Sequence, residues 1–287
     1  MSHRSALRGY DRAAVTMAVR SHIRDMAEPT ELAAGWRDFS LESRTAIVTG
    51  SSTGIGRAIA ASLVELGACV AVTALPEERA RADEVAAALD PSGARTRAYG
   101  LDVRSHASIT AMQSEFVRDF GGVDILVNNA SVRLVESSLA TSSDAWDELM
   151  AVNLRGVFLS SQVAAHHMRG RGGSIVNISS QLGLVAAKDR AAYCASKAGV
   201  INLSRALALD WAPYRIRVNA VAPGTTRTES TPVATDAREA AELLSRMPLG
   251  RPIEPVDVAN AVVYLAGPLS DGVTGHTLVV DGGWTLS

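Results

Sequence analysis

The stretch "TAIVTGSSTGIGRAIA", residues 45–60, decides the fold of this chain. Its first part is a short apolar run ending in glycine, and its last part repeats apolar residues with helical spacing. Between them, Gly50, Gly54 and Gly56 stand in the order G-x-x-x-G-x-G. Glycines between a strand and a helix allow a tight turn and let the backbone approach a pyrophosphate. The stretch predicts a strand, a dinucleotide-binding turn and a helix; a glycine-rich turn without a ligand is the alternative.

Apolar runs and helical patterns alternate along the rest of the chain. A second apolar run, "CVAVTA" at residues 69–74, follows the first helix. Further strand candidates are Thr96–Leu101, Asp124–Asn128, Ser174–Ser179, Ile216–Val221 and Thr277–Val280, and helix candidates include Ser142–Met168 and Ala191–Trp211. The alternation predicts an α/β fold, a Rossmann-type doubly wound parallel sheet with helices on both faces. Because aromatic residues make up only 5% of the chain, aliphatic residues must build the core.

Composition and charge narrow the range of partners. The 287 residues carry a net charge of −2, so neither a nucleic-acid partner nor a membrane-surface partner is expected. No apolar run reaches transmembrane length, and no two histidines have the helical spacing of a metal site, so no metal is expected. Cys69 and Cys194 are expected to be reduced thiols in a cytoplasmic protein.

Residues 1–40 differ in composition from the rest of the chain, because arginines are spread there among alanines. The pattern fits a weak amphipathic helix, an Arg-rich targeting segment, an arm used in oligomer packing, or a true start further downstream. Asp11, Asp25 and Glu28 count against targeting. We expect an accessory or poorly ordered extension at 1–40 and a single domain at 41–287.

The end of the second strand bears on the choice of dinucleotide. A site there must distinguish an adenosine 2′-hydroxyl from a 2′-phosphate. Thr73, Ala74 and Leu75 offer neither an acid for a ribose diol nor an arginine for a phosphate. Because the missing carboxylate removes a repulsion against phosphate, we expect NADP, with NAD as the alternative. Arg79 or Arg81 is a candidate to reach the phosphate, although surface arginines are usually solvated.

The stretch "AAYCASKAGV", residues 191–200, places Tyr193 and Lys197 four residues apart in a helical pattern. Side chains at that spacing lie on one face of a helix, so the phenol and the ammonium can interact. One interpretation is an acid–base pair. The other is a tyrosine packed at the edge of the core beside a solvated lysine, and the two residues alone do not decide between them.

Eight ordered motifs together carry a resemblance to a known family. They are "TGSSTGIG", "LDV" at 101–103, "NNA" at 128–130, Asn153 in "AVNLRGVF", "SIVNISS", "YCASK", "NAVAPG" and "VVDGGW". The chain resembles the short-chain dehydrogenase/reductase family, in its compact single-domain type, from about Leu41 to Trp284. The resemblance implies hydride transfer between a nicotinamide cofactor and a carbonyl or secondary alcohol.

The family's site residues carry over to matching positions. Tyr193 resembles the catalytic acid/base and Lys197 its partner, and Asn153 resembles the asparagine that holds a water in the proton relay. Ser180 resembles the serine that binds the substrate carbonyl, because it lies thirteen positions before Tyr193; Ser179 is the near miss. The expected cofactor-binding residues are Gly50, Ser52, Thr53, Gly54, Ile55, Gly56, Ala74, Asp102, Val103, Asn129, Ala130, Tyr193, Lys197, Pro223, Gly224, Thr226 and Thr228.

The sequence departs from the family pattern at two positions. Ser131 stands where the family usually has glycine after "NNA", so its side chain either crowds the cofactor or adds a hydrogen bond. Thr53 stands where NADP-preferring members often have a basic residue, which weakens the expectation of NADP.

The implied chemistry requires a tyrosine that exchanges its proton near neutral pH. A free tyrosine titrates near pKa 10, and an ammonium about 4 Å away stabilises its phenolate by roughly 4 kcal/mol at an effective dielectric of 20. We therefore expect Lys197 to lower the pKa of Tyr193 by up to about 3 units.

The motif pattern is similar to 3-oxoacyl-carrier-protein reductases and to sugar or secondary-alcohol dehydrogenases. We expect a ketone reductase, with an NAD-dependent sugar or secondary-alcohol dehydrogenase as the alternative. A catalytically silent nucleotide-binding scaffold or regulator is opposed by the intact set of four catalytic residues. A Rossmann methyltransferase would have no use for the tyrosine–lysine pair.

The substrate region is poorly defined by the sequence. The candidates for its lining are Arg133, Leu134, Leu182, Val185 and Arg190, and either arginine could meet an anionic group. The resemblance implies a mobile lid at Thr228–Met247, and a homo-oligomer, either a tetramer or a dimer.

Overall fold

Seven parallel strands form one sheet within residues 40–229 and 244–286, which the computed structural model describes. The order of the strands across the sheet is β3-β2-β1-β4-β5-β6-β7. Their bounds are Thr45–Val48 (β1), Cys69–Ala74 (β2), Thr96–Gly100 (β3), Ile125–Asn128 (β4), Gly173–Ile178 (β5), Ile216–Pro223 (β6) and Thr277–Val280 (β7). The strands run outward from β1 to β3 and then return to β4, so the order reverses between β1 and β4. In open α/β sheets, ligands bind outside the carboxyl ends of the strands at such a reversal.

Helices cover both faces of the sheet. Their bounds are Gly54–Glu65 (α1), Arg79–Leu89 (α2), His106–Phe120 (α3), Ser143–Met150 (α4), Gly156–Met168 (α5), Ala191–Trp211 (α6) and Pro255–Ala266 (α7). Ala46 and Val48 of β1 face a core formed with α1 and α7, whereas Ile47 faces a core formed with α3, α5 and α6. This alternation is what a strand buried on both faces requires. The Rossmann-type doubly wound sheet predicted from the sequence is therefore confirmed.

The predicted elements agree with the structure to within a few residues, apart from one helix. The sequence predicts a single helix over Ser142–Met168, but a π-helical turn at Ala151–Arg155 separates α4 from α5. A π-turn inserts one extra residue into the helical ladder and is frequent at functional sites. Here it turns Asn153 inward, where that side chain is completely buried. One inserted residue hardly changes the hydrophobic periodicity, so the sequence pattern predicted a single uninterrupted helix.

Two expectations fall largely outside the described residues. The expected N-terminal extension at 1–40 lies outside them except for Ser40, and the expected lid is described only at residues 228–229 and 244–247. Among the helices that are described, none is both long and apolar enough to cross a membrane.

Candidate active site

A cleft of about 1080 Å³ opens at the carboxyl ends of the strands. Its walls come from the turn after β1, the ends of β2 to β6, and the first turns of α6. All seventeen residues that the sequence analysis expects at the cofactor line this cleft, and so does Ser180. Asn153 lies behind the wall rather than on it. The structure thus brings the expected residues together in one place.

The glycine turn has the conformation that the sequence predicts. Gly50 and Gly54 have φ angles of +62° and +51°, in the left-handed region that side chains disfavour. At Gly56, a Cβ would overlap the carbonyl oxygen of Gly50 and the side-chain amide of Asn129. The three glycines are therefore required by backbone geometry and by close approach.

Partly buried hydrogen bonds connect this turn to the strands beside it. The Asn129 side-chain amide donates to the backbone carbonyls of Thr49 and Gly50, at 3.0 and 2.9 Å. The Thr49 hydroxyl accepts from the backbone N–H groups of Asn129 and Ala130, at 2.9 and 3.0 Å. On the other side, the N–H of Gly50 donates to the Thr73 hydroxyl at 2.9 Å. Asn129 therefore holds the turn in shape as well as lining the cleft.

The cleft has the features that a nicotinamide dinucleotide needs. The glycine turn exposes backbone N–H groups at the start of α1, which suits a pyrophosphate. At the opposite end, the buried amide oxygen of Gln181 has no hydrogen-bond partner among the described residues. That oxygen would lie 2.9 Å from a Cβ placed on Gly224, so both residues border the same small space. A ligand amide reaching this space would satisfy the unpaired oxygen.

Asn153 is fixed by both ends of its side chain. Its oxygen accepts from the backbone N–H of Val132 at 2.9 Å and from the Ser131 hydroxyl at 3.1 Å. Its amide donates to the backbone carbonyl of Val132 at 2.9 Å. Of the two outcomes expected for Ser131, the structure thus contains an added hydrogen bond, and this bond is made to Asn153.

The two neighbouring serines after β5 have different partners. The Ser179 hydroxyl donates to the backbone carbonyl of Lys197 at 2.8 Å and is buried. The Ser180 hydroxyl accepts from the N–H of Leu182 at 3.1 Å and lies on the cleft wall close to Tyr193. Because an accepting hydroxyl keeps its own proton for another partner, this difference supports the choice of Ser180.

Tyr193 and Lys197 lie together on the first turns of α6. The Lys197 nitrogen is 5.6 Å from the centre of the Tyr193 ring and donates to the backbone carbonyl of Ile178 at 3.0 Å. Only 2% of the Lys197 surface is exposed, so the solvated lysine considered from the sequence is not what the structure contains.

The charge state of this pair differs from the expectation. Burial raises the pKa of Tyr193, and the Arg133 guanidinium, the Ser180 hydroxyl and the Arg190 guanidinium oppose that rise. Burial, aided by Arg133, lowers the pKa of Lys197 to about 7. The expected net lowering of the Tyr193 pKa by Lys197 is therefore wrong for the protein alone. The physical reason is that both groups lose their water at the same time.

The adenosine end of the cleft contains an acid that the sequence analysis did not consider. Glu78 lines the cleft beside Ala74 and Leu75, although it lies four residues beyond the end of β2. Proline-led helical geometry at residues 76–78 brings it back toward the strand ends. Nearby, Arg57 and Arg81 both pair with Glu229, at 2.6 and 3.3 Å. The other candidate arginine, Arg79, lies 3.9 Å from Asp83 instead.

Only some of the residues that the sequence analysis expects at the substrate end of the cleft line it. Arg133, Leu182 and Arg190 line it, whereas Leu134 and Val185 do not. Val185 packs against the core formed with α1 and α7. Ser179, the near miss, lines the cleft as well, and so does Lys188, one of three charged residues shortly before Tyr193. Lining residues that the sequence analysis missed are Ile178, Gln181, Ala186, Ala187, Thr225, Arg246 and Trp284. Ile178 lies in a predicted strand, and Gln181 and Thr225 follow predicted strands closely, which is the signal that could have identified these three.

No group of three or more histidine, cysteine or acidic side chains could hold a metal ion in residues 40–229 and 244–286.

Comparison with known proteins places this cleft in a family. A family model described as "Enoyl-(Acyl carrier protein) reductase" matches residues 50–285. A 2-dehydro-3-deoxy-D-gluconate 5-dehydrogenase of Escherichia coli is 39% identical over 249 residues, covering 86% of this chain and 97% of the relative. A 3-oxoacyl-acyl-carrier-protein reductase of Haemophilus influenzae is 40% identical, covering 86% of this chain and all of the relative.

A solved structure is similar over the same region. A gluconate 5-dehydrogenase from Burkholderia cenocepacia, in complex with NADP and tartrate, superposes with a TM-score of 0.82 at 38% identity. The match covers 87% of this chain and 98% of that structure. Sequence, fold and cleft agree, and the chain belongs to the short-chain dehydrogenase/reductase family, whose oxidoreductase chemistry converts between CH–OH and C=O.

Proposed function

We propose that this protein is a ketone reductase of the 3-oxoacyl or small-carbonyl type, with Ser180, Tyr193 and Lys197 as catalytic residues and Asn153 as their support. The observation that carries the proposal is the location of Tyr193 beside Ser180 on the wall of the cleft. Burial raises the pKa of Tyr193, so its phenol stays protonated at neutral pH and is ready to donate.

The protein's own groups account for the proton transfer. Ser180 donates a hydrogen bond to the substrate carbonyl oxygen and Tyr193 donates its proton to the same oxygen, giving a secondary alcohol. The tyrosinate that remains is stabilised by the guanidinium of Arg133, whose charge opposes the rise that burial causes in the pKa of Tyr193. The nicotinamide, when bound, supplies the hydride to the carbonyl carbon. Asn153 keeps the loop after β4 in place for a water that returns the proton.

Replacing Tyr193 tests this assignment. In Tyr193→Phe, we expect turnover to fall by at least about a thousandfold, because the proton donor is lost, while cofactor affinity stays within about threefold. Steady-state reduction of a ketone ester, together with fluorescence titration of the reduced cofactor, measures the two quantities separately. Turnover at the wild-type rate would contradict the proposal.

The proposed cofactor is NADP, with NAD as the alternative. The end of β2 supports NADP, because Ala74 and Leu75 line the cleft and carry no charge, and Arg81, which pairs with Glu229, is the candidate to reach a 2′-phosphate. The related gluconate 5-dehydrogenase structure holds NADP. Glu78 opposes it, because a carboxylate lining the cleft repels a 2′-phosphate.

Titration of the wild type with NADPH and NADH decides between the two cofactors. Glu78→Gln then measures how much the carboxylate weakens NADPH binding. Arg81→Gln measures how much the guanidinium strengthens it. If NADP is the cofactor, NADPH binds at least about tenfold more tightly than NADH, and Arg81→Gln reduces this preference. A preference for NADH would favour the alternative function, an NAD-dependent sugar or secondary-alcohol dehydrogenase, which the dehydrogenase relatives support. Binding of neither cofactor would favour a silent scaffold or regulator.

A homo-oligomer, either a dimer or a tetramer, is part of the proposal. Apolar side chains of α4, the π-turn, α5 and α6 line an open groove, namely Met150, Leu154, Phe158 and Leu203. Phe158 and Trp146 are large and 36% and 38% exposed. Exposed apolar surface of this kind is typical of protein–protein contact, and a second copy of the chain is the proposed occupant.

Two further assignments complete the proposal. Residues 41–287 form the catalytic domain, and residues 1–40 form an accessory extension whose removal leaves catalysis intact. The proposed location is cytoplasmic, because Cys69 and Cys194 are both free thiols and reducing compartments keep thiols in that state.

A further inference from the structure

Three cationic side chains line the substrate end of the cleft, and two of them, Arg133 and Arg190, act on the pKa of Tyr193. Arg133, Lys188 and Arg190 all line the cleft, and we call them the cationic rim. Arg190 directly precedes α6, and its carbonyl accepts from the N–H of Cys194 at 2.8 Å. Tyr193 therefore lies within one helical turn of Arg190.

The two segments that carry the cationic rim are joined to each other. The N–H of Glu136 donates to the carbonyl of Asp189 at 2.8 Å. Asp189 has a φ angle of +57°, a left-handed conformation that non-glycine residues adopt at some energetic cost. This turn places Lys188 and Arg190 on either side of it. A backbone hydrogen bond therefore connects the two segments that carry the rim.

Arg133 is also tied to the catalytic centre through its neighbour. Both the N–H and the carbonyl of Val132 are hydrogen-bonded to Asn153, each at 2.9 Å. The backbone that leads into Arg133 is thus fixed against the π-turn. The charge of Arg133 acts at the centre, where it opposes the rise in the pKa of Tyr193 and adds to the fall in the pKa of Lys197.

Acids that line the cleft lie toward its other end. Among the described residues they are Glu78, Asp102 and Glu148. Asp102 and Glu148 both pair with Arg104, at 2.9 and 2.6 Å, next to the end of β3. Four inter-strand steps separate β3 from β5, which is roughly 19 Å at the usual strand spacing. Glu136 and Asp189 belong to the rim segments, but their side chains do not line the cleft.

The acids that line the cleft therefore lie at the far end, where two of them pair with Arg104, and the cationic rim lies at the substrate end. A positive end next to a proton donor raises the affinity for a substrate that carries a negative charge. Planar guanidinium groups match a carboxylate in particular, because each can donate two parallel hydrogen bonds to its two oxygens.

We propose that Arg133 and Arg190 bind a carboxylate of the substrate, so that the natural substrate is a keto acid that becomes a hydroxy acid. The inference rests on the proposed function, since it names the class of substrate for the same site. In the reaction, hydride from the reduced nicotinamide and the proton of Tyr193 add across the C=O bond, and the carboxylate is unchanged.

Matched pairs of substrates test the proposal directly. Acetoacetate and methyl acetoacetate present the same ketone with and without a negative charge, and 5-ketogluconate and L-sorbose do the same for a polyhydroxylated chain. Reduction of all four is measured with NADPH and NADH for the wild type, Arg133→Gln and Arg190→Gln. Arg95→Gln is the control, because it removes the same charge from an exposed position at the start of β3.

The expected result is a preference of the wild type for the acid in at least one pair. In Arg133→Gln and Arg190→Gln, kcat/KM for that acid falls by about tenfold or more, mostly through KM, as expected for a lost charged hydrogen bond. For the uncharged partner, KM stays within about threefold, and any fall in kcat is the same for both partners, because the charge of Arg133 also acts on Tyr193. Arg95→Gln matches the wild type. Arg133→Lys recovers part of the affinity, which a merely structural role would not produce.

Three outcomes would overturn the inference. One is equal use of acid and uncharged partner in both pairs, and another is an equal loss for both partners in the arginine variants. The third is faster reduction of acetoacetyl-coenzyme A than of any of the four, with Arg133→Gln weakening that thioester instead. All three leave the ketone reductase assignment standing. That assignment fails separately if no ketone is reduced with either cofactor.

Discussion

At the scale of the residue, Ser131 deserves a direct test because its hydroxyl donates to the oxygen of Asn153 at 3.1 Å. In Ser131→Gly, Asn153 keeps its two bonds to Val132 but loses one donor. A single hydrogen bond contributes about 1 kcal/mol, so we expect kcat to fall by roughly two- to fivefold. Cofactor affinity should be unchanged. A rise in cofactor affinity would instead mean that the serine side chain crowds the cleft.

The lowered pKa of Lys197 predicts that the stability of the protein depends on pH. Its pKa is about 7 in the folded protein and about 10.5 ordinarily, so the unfolded chain binds more protons between these values. The free energy of unfolding contributed by this group therefore rises with pH across that range, by about 2 kcal/mol between pH 7 and pH 9. Urea denaturation of the wild type and Lys197→Met at both pH values measures the difference. Parallel behaviour of the two proteins would refute the lowered pKa.

At the scale of the element, the turn between β1 and α1 is the least tolerant of change. In Gly56→Ala, the added Cβ overlaps the Gly50 carbonyl and the Asn129 amide, so the turn must open. We expect a loss of about 1–3 kcal/mol in unfolding free energy and at least tenfold weaker NADPH binding. Gly272→Ala is the control, because nothing lies within 4 Å of a Cβ there. Thermal unfolding and fluorescence titration give the two values.

Helices and strands could be predicted from the sequence where their apolar residues follow a regular pattern. Short apolar runs that alternate with helical patterns predicted the strands and the doubly wound sheet, and the bounds of α6 agree with the predicted Ala191–Trp211. The π-turn was not predictable, because Asn153 is drawn inward by the backbone of Val132, far away in sequence. The location of Glu78 in the cleft was not predictable for a similar reason, since only the bend at Pro76 brings it back to the cleft. Contacts between distant segments leave no periodic pattern.

At the scale of the whole molecule, the apolar groove on α4 to α6 predicts how copies of the chain associate. In Phe158→Glu, a charge replaces an aromatic ring that lines the groove, so we expect a smaller assembly. Light scattering after size-exclusion chromatography measures the mass. Leu139→Glu is the control, because Leu139 is 99% exposed and lies outside the groove. If the mass of the assembly were unchanged in Phe158→Glu, the copies of the chain would not associate through this groove.

The order of the strands has a consequence for how the chain folds as it is synthesised. Each new strand joins an existing edge: β2 and β3 extend one side of β1, and β4 to β7 then extend the other in sequence. The sheet can therefore grow as the chain leaves the ribosome. The apolar face of α1 is the exception, since it packs against α7, which emerges almost two hundred residues later. Until then this face is open to chaperones, and a ribosome stalled before Pro255 would present it as a site for their binding.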